Sequence, residues 1–63
     1  MDKPISEQLK EARKEKGLTI LKVSELSGLT WDTVWRIEKN KNAHTYVHTL
    51  QQIQKALNIK FIL

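Results

Sequence analysis

A glycine at position 28 divides the stretch from Thr19 to Lys41 into two short runs that each turn helically, and this break constrains the fold more than any other feature. Thr19 and Thr30 each place a side-chain oxygen just before such a run, where it can accept a bond from an otherwise unpaired backbone N–H. Each marks a helix start. Within Ser27-Gly28-Leu29 the glycine can take the positive φ that closes one helix and swings the chain into the next. The stretch therefore reads as two helices about a tight turn, a helix-turn-helix.

The flanking segments supply the rest of a small all-α domain. Ile5, Leu9 and Ala12 fall at i, i+4 and i+7, one face of a first helix ending near Gly17. Its start is open among Asp2, Lys3 and Ser6 as caps, with Pro4 suited to the first turn. The polar side, QLKEARKEK, reads as a solvated surface of alternating charge. A second helix over about Ile20 to Ser27 turns Val23 and Leu26 inward. In a third, about Trp31 to Lys39, an advance of roughly 100° per residue sets Val34 and Ile37 against Asp32 and Arg36, with Trp31 and Trp35 along the flank. A fourth runs from about Tyr46 to Leu57 with Val47, Leu50, Ile53, Ala56 and Leu57 inward, and Asn58 can close it by adopting the left-handed conformation. The tail Ile59 to Leu63 is rich in β-branched and aromatic residues and reads either as a short strand or as a last helical turn.

Sixty-three residues make one domain, 1–63, with a small core and little spare stability. There is no cysteine, so neither a disulfide nor a thiolate metal site is available. His44 and His48 lack a third ligand, so no metal or other cofactor is expected. The charged MDKPISEQ start does not resemble a signal peptide, no apolar run is long enough to span a bilayer, and a soluble cytoplasmic protein is expected. Eleven Lys and Arg against seven Asp and Glu give a net charge of +4, compatible with a polyanionic partner. No phosphate-binding glycine loop or nucleophile–base pairing is visible, and an enzyme is not expected.

In order and spacing, Leu9, Arg13, Gly17-Leu18, Val23, Ser24, Gly28, Val34, Ile37, Glu38, Leu50, Ile53, Ala56 and Leu57 resemble the Cro and phage-repressor (XRE) family of helix-turn-helix regulators. The resemblance covers Ile5 to Ile59. It implies that the third helix enters the major groove of double-stranded DNA, with Trp31, Asp32 and Arg36 facing base edges. Arg36 can bond guanine bidentately, and Asp32 can accept from cytosine or hold Arg36. Phosphate contacts are expected from Thr30, Thr33, Lys39, Asn40, Lys41 and Asn42. Ile20 departs from the family, where a polar residue at this position often touches a phosphate. Arg13 and Glu38 match a buried ion pair between the first and third helices.

The resemblance further implies a repressor acting as a homodimer on a palindromic operator. Ile59, Phe61 and Leu63 of the tail are the expected interface, with one strand pairing against its twin. An antitoxin-type relative would also bind a toxin. From another class, a protein-interaction adaptor would keep the fold without binding DNA, using the apolar area of Ile20, Leu21, Trp31 and Trp35.

Overall fold

The computed structural model describes residues 3–39 and 47–62. Four helices follow in order: α1 (Ile5–Glu15), α2 (Ile20–Ser27), α3 (Trp31–Lys39) and α4 (Val47–Leu57). There is no strand among the described residues.

None of these helices is long enough to be stable alone, because nucleation is costly and each gains few backbone bonds. Their ends are correspondingly well defined. Gly17, Gly28 and Asn58 take left-handed φ of 68°, 76° and 55°. After each, the next N–H reaches back five residues: Leu18 to the Arg13 carbonyl at 3.0 Å, Leu29 to Ser24 at 3.1 Å, and Ile59 to Gln54 at 3.0 Å. This satisfies carbonyls that would otherwise lack a partner, and it turns an apolar residue inward at each corner. Leu18, Leu29 and Ile59 all pack against the core. A Cβ on Gly17 or Gly28 would meet nothing within 4 Å, so backbone conformation and not space selects glycine there.

The helix starts differ. Thr19 caps α2 by accepting the Lys22 N–H at 3.0 Å. At α1 the cap position is Pro4, extended and without a side-chain bond, and its carbonyl accepts from the Glu7 and Gln8 amides. Neither Lys3 nor Ser6 caps this helix. Ser6 lies inside it and faces the interior, while Asp2 is outside the described residues. On the solvated side Lys3 bridges Glu11 at 2.7 Å. The hydrogen bond to Glu11, followed by its charge, raises the Lys3 pKa above the usual value.

The core is Leu9 of α1, Val23 of α2, Val34 and Ile37 of α3, Leu50, Ile53 and Leu57 of α4, and Phe61 of the tail. Two residues expected to face inward do not. Leu26 is exposed because the inner face of α2 runs through Val23, Ser24 and Ser27, roughly 110° from Leu26 at 100° per residue. Ser24 and Ser27 are small and satisfy their hydroxyls on their own helix, at the Leu21 and Val23 carbonyls. Val47 is also exposed, lying about a quarter turn from the line through Leu50, Ile53 and Leu57. Conversely, Ile20 packs against the core, so it does not add to the apolar surface formed by Leu21 and the tryptophans.

The tail is neither a helical turn nor a paired strand over residues 59–62. A segment outside regular structure must find partners for its amides, and here two glutamines supply them. Phe61 N–H donates to Gln54 Oε1 at 2.7 Å. Ile62 N–H donates to Gln8 Oε1, and Gln8 Nε2 donates back to the Ile62 carbonyl, both at 2.8 Å. So held, Phe61 is only 7% exposed and closes the core of its own chain. Leu63 lies outside the described residues.

Truncation of this side chain should therefore destabilise the monomer. Phe61→Ala is expected to cost about 3–5 kcal/mol, a large part of what a domain of this size has. Urea unfolding followed by circular dichroism checks this, and a change below about 1 kcal/mol would place Phe61 outside the core.

Candidate nucleic-acid interface

The two faces of α3 do different work. Val34, Ile37 and Glu38 are buried, whereas Asp32, Arg36 and Lys39 are exposed on the opposite side. Trp31 and Trp35 stand along the flank, 46% and 37% exposed. Their rings stack with centroids 6.1 Å apart and planes 18° from parallel. The offset arrangement is the favoured one for an aromatic pair.

At the start of α3, Thr30 Oγ1 accepts the Thr33 N–H at 3.2 Å, and the two hydroxyls share a hydrogen bond at 2.8 Å. Thr30 is exposed and Thr33 half-buried. The cap therefore fixes the first turn, which carries Trp31 and Asp32.

Arg36 Nε lies 2.9 Å from Asp32 Oδ2, one turn back along the helix. The two side chains are 74% and 59% exposed. A pair in that much water is worth about 0–1 kcal/mol. It pre-orients the guanidinium over the outer face yet releases it cheaply to a better partner. Lys39 extends this face toward the helix end. Asn40, Lys41 and Asn42 lie outside the described residues.

On the inner side, Arg13 and Glu38 meet. Arg13 Nε and Nη2 donate to the two carboxylate oxygens at 2.7 and 3.1 Å, and Nη1 donates to the Leu18 carbonyl at 2.9 Å. A planar guanidinium suits this bidentate contact better than an ammonium would. Both side chains are largely removed from water. One group thus ties α1, the turn after it and α3 together, with Glu38 on the helix whose other face presents Arg36.

No sequence signal singled out Gln8 or Gln54. Both stand at helix positions where a solvated amide is the ordinary reading, and only the path of the tail gives them a partner. Among the described residues there is no group of three or more His, Cys, Asp or Glu able to hold a metal ion. No helix there is long and apolar enough to cross a membrane.

An α2–turn–α3 unit braced from behind, with a polar and aromatic outer face, is the form of a helix-turn-helix DNA-binding domain. The chain belongs to the Cro/C1-type HTH DNA-binding domain family, whose model matches residues 8–61. No curated protein matches the chain. Membership makes it a DNA-binding transcriptional regulator.

Removing one member of the buried pair should be far worse than removing both. Arg13→Leu or Glu38→Leu alone is expected to cost about 3–5 kcal/mol by stranding the partner charge, whereas the two combined recover much of the loss. Urea unfolding of the two single variants and the double variant measures their coupling. Additive losses would show that the pair does not act as a unit.

Proposed function

We propose that this protein is a sequence-specific repressor that binds double-stranded DNA as a homodimer on a palindromic operator. The observation that carries the reading is the outward face of α3, where Asp32 and Arg36 stand opposite the Arg13–Glu38 brace with Trp31 along the flank. Arg36 reads guanine through its paired donors, and Asp32 contributes at a neighbouring base. Thr30, Thr33, Lys39, Asn40, Lys41 and Asn42 contact phosphates and set the register. A net charge of +4 supplies long-range attraction.

One short recognition helix reads few bases, so two copies on a two-fold axis read a palindrome with half-sites about 34 Å apart. The copies meet on the tail face, through Ile59 and Leu63 together with the exposed Ile62. Occupying the operator is then sufficient to repress.

The affinity of this protein for duplex DNA should fall linearly on a log–log plot against salt, because its cations displace counterions from several phosphates. A duplex titration at stepped salt concentrations measures the slope, and a slope of zero overturns the DNA reading.

Arg36→Ala should behave differently from the loss of a phosphate contact. It is expected to cost about 1–3 kcal/mol at the preferred duplex while leaving binding to random duplex nearly unchanged. Equal losses on both duplexes would make Arg36 a phosphate contact.

A further inference from the structure

The two tryptophans are not explained by packing. Neither belongs to the core cluster or to the partly buried residues that support it. The interior positions are held instead by Leu9, Val23, Val34 and Ile53, each fully buried. The large rings stay partly in water, 46% and 37% exposed, stacked on each other, on the helix that also carries Arg36. At roughly 100° per residue Trp31, Trp35, Asp32 and Arg36 follow one another around about 140° of α3. Apolar area and charge thus form two adjoining strips of one surface.

Resting on the proposal that α3 lies in the major groove, we infer that the Trp31–Trp35 stack reads the methyl groups of thymines beside the guanine bound by Arg36. The floor of that groove offers hydrogen-bond donors and acceptors at every base pair, and its apolar group is the thymine C5-methyl. An apolar ridge seated there gains by meeting methyls and loses by covering unmatched polar edges. Stacking holds each indole with few accessible rotamers, so little further ordering is needed on binding. From Trp31 to Trp35 the helix rises about 6 Å, at 1.5 Å per residue, close to two base steps of about 3.4 Å. The ridge therefore spans neighbouring thymines. Asp32, between the tryptophans and Arg36 around the helix, keeps the guanidinium over its own strip at 2.9 Å.

Replacing thymine by deoxyuridine removes the methyl and nothing else. The test begins with a duplex selected by the full chain from a random library. Thymines near the guanine sensitive to Arg36→Ala are then replaced singly by deoxyuridine, and binding is followed by tryptophan fluorescence. We expect each of one or two replacements to weaken wild-type binding on the order of four-fold, the effect of removing one buried methyl-sized group. Trp31→Ala and Trp35→Ala, assayed by gel shift, should bind the thymine and deoxyuridine duplexes with equal affinity at the matching step. Circular dichroism confirms that the variants are folded, and Trp31→Gln and Trp35→Gln, which put a polar amide where the ring stood, serve in place of any that is not.

If no duplex is preferred over random sequence, the DNA-reading proposal itself fails, and the ridge becomes a surface for a protein partner. If a site is selected but deoxyuridine has no effect, the methyl reading alone is overturned. A methyl effect that persists in both tryptophan variants overturns it as well, by assigning the methyl to another residue.

Discussion

The outward face of α3 holds its direction because its inward face is fixed, and the ion pair between Arg13 and Glu38 does the fixing. Taking a guanidinium and a carboxylate out of water is expensive, and an apolar pair of similar size would often stabilise the fold more. What the charged pair adds is direction. Its paired donors match the carboxylate in a narrow range of orientations, and the third contact at the Leu18 carbonyl ties that geometry to the end of α1. Rotation of α3 about its own axis would break this contact before it cost much apolar burial. The side that carries Asp32 and Arg36 is thus set by a polar contact on the opposite side.

Short helices place the same demand on their ends. Each left-handed residue, Gly17, Gly28 or Asn58, closes a helix and delivers the following apolar residue to the core. Stopping and packing are one event in this fold. The turn between α2 and α3 is therefore anchored on both sides, by the Leu29 N–H at the Ser24 carbonyl of α2 and by the Thr30–Thr33 cap of α3.

The features legible in the sequence are those decided locally. Thr19 and Gly28 announce their roles through short-range chemistry, and Val34 and Ile37 declare the inner side of α3 because the residues opposite them are charged. Leu26 and Val47 mislead for a physical reason. Periodicity gives the angle between side chains, but which angle points inward depends on where neighbouring helices lie. Buried Ser24 and Ser27, small enough to admit those neighbours, define the inner face of α2 in place of Leu26. The tail was the least legible, since its β-rich composition says nothing of the side-chain amides from α1 and α4 that hold it. The face of α3 was readable as a surface because its exposed residues are polar or aromatic, while the stacking of Trp31 on Trp35 depends on side-chain rotamers that spacing does not give.

The glutamine contacts also bear on how the chain behaves in a crowded cell. Ile-Lys-Phe-Ile-Leu has much of the composition of a segment that stacks into cross-β fibres: apolar but for Lys60, β-prone and free of proline and glycine. Such stacking needs backbone groups that a neighbouring chain can reach. Gln54 occupies the Phe61 amide, Gln8 occupies both backbone groups of Ile62, and the ring of Phe61 is inside the domain. Folding thus acts as the gatekeeper for its own stickiest segment, an internal safeguard against assembly into fibrils.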